Sequence, residues 1–588
     1  MICPFLNFDI LPPAKAAHTN EGTEGIVLSR REFIHLAAAA AALPVTAAGF
    51  RSAMAKQKLA QKDLLQFDAL GQVTLVHFTD LHAQLVPIYF REPTVNLGVG
   101  EVKGLPPHLT GKDFLKAFGI APGTPEAYAL TDQDFTAMAR TYGRVGGIDR
   151  MATLIKAIRA ERPNNTLVFD GGDTWQGSYT SLKTAGQDMV DVQNALGLDA
   201  MTAHWEFTFG TDRVKELKDK LNFPFLATNV RDTEWQEDVF ESVKMFEKGG
   251  LKIAVIGQAF PYTPIANPRY LIPTWSFGIN EENMAKRVAD ARAAGADLVV
   301  VLSHNGFDVD RKMASRVDGI DVILTGHTHD ALPAPVKVNN TLLIASGSHG
   351  KFLSRLDLKV EGKRVVDYRY RLIPVFSDAI TPDKEMAALV DKIRKPHQAE
   401  ISRVLGRTDD LLYRRGNFNG TMDDVICDAL LQERDAEIAL SPGFRWGATL
   451  LPGQDITVEE VYNHTSITYA KVYRNEMTGE FLKTVLEDVA DNLFNPDPYY
   501  QQGGDMVRVG GLGYTIDINK KIGSRISNMT LLKDGKPIDP NRRYVVAGWA
   551  SVNPGTEGPN AYDLVSSYVA KKKVITAGKR AAVKVLGA

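Results

Sequence analysis

Two cysteines in 588 residues leave no disulfide framework on which a fold could depend. Cys3 falls in a segment expected to be removed, so Cys427 would stand alone in the mature chain. Its setting, Asp424-Val425-Ile426-Cys427-Asp428-Ala429-Leu430-Leu431, carries apolar residues at helical spacing and predicts a buried core thiol rather than a nucleophile. A dominant charge sign is missing too. Acidic and basic residues number 70 and 68, a formal net charge of −2, which leaves neither a basic footprint for nucleic acid nor an acidic tail. No segment of the mature chain approaches the roughly 20 apolar residues of a spanning helix, and neither an internal repeat nor a low-complexity tract follows the amino terminus. What is present is an ordinary apolar fraction with many glycines and prolines, over a length that calls for at least two domains.

The amino terminus reads as a targeting segment. Ser29-Arg30-Arg31-Glu32-Phe33-Ile34 precedes an alanine-dominated stretch from Leu36 to Phe50, and Ala53-Met54-Ala55 offers a small-x-small cleavage site. Residues 1–55 are therefore expected to be a twin-arginine signal peptide. Export to the periplasm, with no stable membrane anchoring, follows from that reading.

From Val73 onward, short β-branched runs alternate with amphipathic helical stretches. Strands are predicted over Val73–Phe78, Thr166–Phe169, Lys252–Gly257, Asp297–Leu302 and Asp321–Leu324, with helices over Met151–Ala160 and Glu281–Ala294. The pattern predicts a layered α/β domain over residues 56–375, interrupted at about 87–142 by a Gly/Pro-rich insertion too long for a simple loop. Residues 376–400 read as a linker, with an amphipathic helix from Ser377 to Arg394. Residues 401–588 form a second, smaller α+β unit with helices at Met422–Arg434 and Thr478–Asn492.

Five short segments carry the chemistry, four of them directly after predicted strands: Asp80-Leu81-His82, Gly171-Gly172-Asp173, Ala203-His204-Trp205-Glu206, Ser303-His304-Asn305-Gly306 and Gly326-His327-Thr328-His329. Loops at the carboxyl ends of strands converge in open α/β sheets. Singly, each segment reads as well as a turn, a cap or a satisfied core histidine. Together, mixed carboxylates and imidazoles in this order suit a pair of divalent first-row ions, which can activate water and clamp an in-line displacement. His77 and His464 are expected to be structural.

That order resembles the calcineurin-like phosphoesterases, and the C-terminal half resembles the 5′-nucleotidase substrate domain. The resemblance implies an α/β/β/α metallophosphoesterase domain in which Asp80, His82 and His329 hold one ion. His204, His304 and His327 would hold the other, with Asp173 bridging; Asn229 and Glu206 are the expected supporting groups.

One motif departs from a nucleotidase. Where that family reads Gly-Asn-His-Glu-Phe-Asp, this chain reads Ala203-His204-Trp205-Glu206-Phe207-Thr208. His204 takes the place of a metal-binding asparagine and Trp205 that of the catalytic histidine; Thr208 replaces that histidine's acidic partner. A weakly basic sulfur leaving group tolerates the loss of a proton donor far better than an alkoxide does. Together with Gly172-Asp173-Thr174-Trp175-Gln176-Gly177-Ser178 and Gln502-Gly503-Gly504-Asp505-Met506-Val507-Arg508-Val509-Gly510-Gly511, these departures resemble the SoxB-type thiosulfohydrolases of sulfur oxidation. The resemblance implies two manganese ions, although the ligand types by themselves also admit zinc or iron. It also implies a SoxYZ-like carrier presenting a sulfonated cysteine on a C-terminal arm. Arg445 and Arg508 would meet the sulfonate, with Trp205 as an apolar wall. Phe444, Trp446, Tyr499 and Tyr500 are candidates to line a channel for the arm. The rival expectations are a periplasmic 5′-nucleotidase or cyclic phosphodiesterase, or a noncatalytic capture protein.

Overall fold

A computed structural model describes residues 59–577 and 583–588; the expected signal peptide lies outside them. Two sheets stacked face to face build the first half. One has five strands in the order Arg364–Pro374, Phe352–Glu361, Val73–Phe78, Thr166–Asp170 and Ala200–Met201; the other has six, in the order Val336–Val338, Thr341–Ala345, Val322–Thr325, Leu298–Ser303, Leu251–Gln258 and Val243–Lys248. Strand alternation divides the side chains between two cores. Val73 and Leu75 join Ile253, Val255, Leu298 and Val300 in the core between the sheets. Val76, Phe78, Val299 and Val301 turn the other way, into the core that holds Met151, Leu154 and Ile158 of the Ile148–Glu161 helix and Val288 of the Glu281–Ala293 helix. The result is the expected α/β/β/α layering.

The central strands of both sheets are parallel: Val73–Phe78 with Thr166–Asp170, and Leu251–Gln258, Leu298–Ser303 and Val322–Thr325 with one another. Their carboxyl ends therefore face the same way within each sheet, and the five motif loops leave from those ends.

The insertion is not irregular. It folds into helices Gly111–Phe118, Pro125–Leu130 and Phe135–Tyr142, with Phe114, Tyr128 and Phe135 buried in the first-half core. Its leading segment is pinned to the second half. The Thr449 N–H donates to the Tyr89 carbonyl at 2.7 Å, the Leu97 N–H donates to the Asn417 side chain at 2.7 Å, and the Arg91 guanidinium lies 4.2 Å over the Tyr413 ring.

Past residue 400, a four-stranded sheet ordered Val472–Thr478, Arg543–Trp549, Ile438–Ser441 and Arg508–Gly510 carries the loops that reach the first half. The connecting helix begins at Lys384 rather than at Ser377. Pro382 disfavours helical backbone at Thr381, and the Asp383 carboxylate caps the helix by accepting the Met386 N–H. Among the described residues no helix is long and apolar enough to cross a membrane. Cys427 is buried in an apolar cluster, as its spacing predicted.

Candidate metal centre

All seven predicted ligands meet. Asp173, His204, His304 and His327 form one buried group and Asp80, His82, Asp173 and His329 another, the potential donor atoms in each lying within 4.8 Å of one another. Asp173 alone belongs to both. Its Oδ2 lies 3.2 Å from His204 Nδ1, 3.2 Å from His304 Nε2 and 3.8 Å from His82 Nε2. On the Asp80 side, Oδ1 lies 3.2 Å from His329 Nε2 and 3.6 Å from His304 Nε2.

The loops reach this geometry through unusual backbone. Asp80, His82, Asp173, His327 and His329 all have φ between +48° and +75°, a region that L residues other than glycine avoid and that clusters at functional sites. Glycines supply the close approaches. A Cβ on Gly326 would sit 2.5 Å from Thr79 Oγ1 and 2.9 Å from His304 Nδ1, so this position must lack a side chain.

Three of the five imidazoles are aimed by a bond on one ring nitrogen. His304 Nδ1 donates to the Gly171 carbonyl at 2.5 Å, His82 Nδ1 to the Gln176 carbonyl at 3.3 Å, and His327 Nε2 to the Gln502 carbonyl at 3.2 Å. The remaining nitrogens of His82 and His304 are thereby left as lone pairs turned inward. His82 Nε2 and His329 Nε2 face each other at 3.0 Å, beside the Asp80 carboxylate. His304 Nε2 and His204 Nε2 are buried without a hydrogen-bond partner. Inward lone pairs converging on carboxylate oxygens are the donor set of bound cations, and the residues fit two divalent ions.

The electrostatics agree. Burial pushes the Asp80 carboxyl up to about 7 against the pull of His304. Burial would lower His304, but Asp173 and Asp80 outweigh it and raise the ring to about 10. Burial holds His82 down at about 4. Without positive charge among them, the carboxylates draw a proton onto His304; a cation serves the same need.

Of the expected supporting groups, Glu206 belongs here. It is fully buried, and its carboxylate accepts the N–H groups of Asp173, Thr174, Trp175 and His204 at 2.6–3.2 Å, fixing two ligand loops at once. Asn229 does not. Its amide bonds to Ala259 and Gly278 and touches no ligand.

Trp205 stands at the second group. Its main-chain N–H donates to Asp173 Oδ1 at 2.7 Å and its ring stacks on His204 at 4.5 Å. Trp446 and Phe444, stacked at 4.0 Å, meet it edge-on, and Trp446 also lies 5.4 Å from the His82 ring. Phe260, which sequence reading passed over, covers His204 and His327 at 4.0 and 4.2 Å. Tyr499 and Tyr500 do not join this wall: Tyr499 bonds to Glu281 under Lys312, and Tyr500 is 62% exposed.

The two arginines part company. Arg445 lines a cavity of about 50 Å³ with His327, Asn305, Asn417 and Gly503; it bonds to the Gly504 carbonyl and lies 3.4 Å from both Asp505 and the His327 carbonyl. Arg508 is not a substrate-facing group. It is completely buried, paired with Asp505 at 2.7 Å and Asp423 at 3.5 Å, and Asp423 also holds Arg414 at 2.7 Å. Burial without an ion partner is too costly for a guanidinium, which is why two carboxylates surround it. His77 and His464 are fully buried, as expected of structural residues.

Residues 404–564 match the 5′-nucleotidase C-terminal domain family. A snake venom 5′-nucleotidase from Gloydius brevicauda is 24% identical over 71% of this chain and 78% of its own length, and the Rattus norvegicus 5′-nucleotidase is 24% identical over 76% and 86%. A 5′-nucleotidase precursor from Thermus thermophilus shares the fold, with a TM-score of 0.69 at 22% identity over 88% of this chain and 99% of its own. The sulfate thiohydrolase SoxB of Thermus thermophilus superposes with a TM-score of 0.85 at 36% identity, covering 89% of this chain and 98% of its own. With its two buried His/Asp groups, the chain is a metal-dependent hydrolase of the calcineurin-like and 5′-nucleotidase superfamily, and within it belongs to the SoxB family.

Proposed function

We propose that this chain is a thiosulfohydrolase that releases sulfate from a cysteine S-thiosulfonate on a sulfur-carrier protein during thiosulfate oxidation. It would act in the periplasm after twin-arginine export, with manganese as its resident ion. The observation that carries the reading is Trp205: an indole stacked on His204 beside a complete ligand set. Divalent cations held by these seven residues supply, when bound, an acidified water and a screen for oxyanion charge. The chain supplies the rest. The main-chain N–H of Trp205 steadies Asp173, and its indole, with Phe444 and Trp446, forms an apolar wall that offers no carboxyl or imidazole acid. A departing thiolate or persulfide needs none, since a thiol is already acidic near pH 8.5 whereas an alkoxide must be protonated as it leaves. Arg445, at the cavity beside His327, presents a guanidinium suited to a sulfonate.

The test is direct. Manganese-loaded protein incubated with an S-sulfonated carrier should release sulfate, while AMP under the same conditions should turn over poorly. Absence of sulfate together with brisk AMP hydrolysis overturns the reading. Trp205→His should raise the AMP rate and lower sulfate release.

A further inference from the structure

One buried residue with no assigned role touches three of the four ligands of the Asp80 group, Asp80 through its main chain and His82 and His329 through its ring. The His349 N–H donates to the Asp80 carbonyl at 2.8 Å. Its ring lies 5.2 Å from that of His82, tilted by 38°, and 5.7 Å from that of His329, nearly perpendicular at 76°. On its far side it stacks on Phe90 at 4.2 Å, where the insertion begins. His349 is 1% exposed and has the same left-handed backbone as the ligands, φ +57°. No comparable contact joins it to His204, His304 or His327.

Both ring nitrogens are committed. Nδ1 lies 2.8 Å from Ser348 Oγ and Nε2 accepts the Gly447 N–H at 3.2 Å. An acceptor at Nε2 requires a neutral ring, and burial, then His82 and Arg415, hold its pKa well below the usual histidine range. Gly447 comes from the other half of the chain, and only glycine serves there: a Cβ would meet His464 Nδ1 at 2.1 Å. The preceding residue, Trp446, is the one that packs on His82. The loop holding the aromatic wall therefore reaches the Asp80 group twice, once through Trp446 and once through the Gly447–His349 bond.

We infer that His349 is a positioning residue for the Asp80–His82–His329 ion, locking those three ligands to the aromatic wall of the C-terminal half and leaving the other ion untouched. It coordinates nothing itself. Both nitrogens are engaged elsewhere, and it acts by holding two imidazoles and one main-chain segment in register. Loss of groups that support metal ligands weakens affinity by about 10–100-fold.

Full-length protein stripped of metal and titrated with Mn²⁺, followed by bound-metal stoichiometry and electron paramagnetic resonance, provides the test. Wild type should bind two ions as a spin-coupled pair. His349→Ala should keep one tightly and bind the other about 10–100-fold more weakly, with the spectrum of an isolated ion at subsaturating manganese. His349→Gln, which retains an acceptor for Gly447, should recover part of the loss. The double variant His349→Ala/His204→Ala identifies the ion: it should hold neither tightly, whereas retention of one tight ion would place the effect at the wrong group. If His349→Ala does not fold, Ser348→Ala removes one ring bond and should show the same selective weakening in smaller measure. Two ions at wild-type affinity in a folded His349→Ala, or equal weakening of both, overturns the inference.

Discussion

The two ligand groups share Asp173 yet are built differently. Around Asp80, His82 and His329 polar side chains add to the Gln176 carbonyl and the Trp446 ring. Gln84 donates to the His82 carbonyl at 3.1 Å, Arg415 to the His329 carbonyl at 3.1 Å, and Glu92 sits between Arg415 and Lys351. Around His204, His304 and His327 aromatic rings and main chain predominate, Phe260, Trp205 and the carbonyls of Gly171 and Gln502, beside the Glu206 carboxylate that accepts the His204 N–H. The first group is fixed by a charge network that substitutions can dismantle piecemeal. The second is fixed by shape, where a single methyl group in the wrong place suffices to disturb it.

Asp173→Ala should have the largest effect, because it is the one carboxylate common to both groups. Both ions should be lost to dialysis, and turnover should fall by more than the roughly 100-fold attached to a supporting group. Retention of one tight ion would show that the groups are independent.

Arg508→Met comes next. It leaves Asp423 and Asp505 buried with one cation fewer, which should destabilise the fold by about 3–5 kcal/mol with manganese stoichiometry unchanged. A lost ion at unchanged melting temperature would return Arg508 to the site.

Gly503→Ala probes the shape-fixed group. A Cβ there would lie 2.2 Å from His327 Nε2, at φ +72°. Metal titration should show the second ion weakened by about 10–100-fold and the first unaffected.

The smallest effect serves as a control outside both groups. Half-buried Glu460, whose Oε2 is buried and unpartnered, is raised to about 7 by burial, with Glu459 adding to it. A raised carboxyl favours the folded state when protonated. Its stabilisation is complete below the unfolded value near 4.5 and is lost as pH rises through 7. Glu460→Gln should therefore raise stability by about 1–3 kcal/mol at pH 8 and change little at pH 4.5, as followed by thermal melts at the two values.

The ligands were legible because four of their five segments lie just past a predicted strand and three carry glycine, two signals that strand-end loops leave in sequence. The layering was legible for the same reason: Val73–Phe78 and Leu298–Ser303 came within a residue of their observed limits. What escaped was whatever depends on segments far apart in the chain. Phe260 and Arg415 carry no local mark, and only folding brings them to the ligands. His349 did leave one, since Gly347-Ser348-His349-Gly350 follows the Thr341–Ala345 strand much as Gly326-His327 follows its own. Arg508 misled because a motif can be family-specific for holding a fold together as readily as for contacting a substrate. The helix start at Ser377 misled because amphipathic spacing outweighed Pro382.

The left-handed backbone of five ligands also narrows the replacements open to this centre. Asparagine enters that region readily, so at Asp80 and Asp173 the exchange for Asn is the substitution that alters charge while sparing the chain path. β-Branched residues are nearly barred there. Retuning the centre toward another cation is therefore a choice among very few amino acids at those five positions, and His204 and His304, which lie outside the left-handed region, are where such redesign has more room.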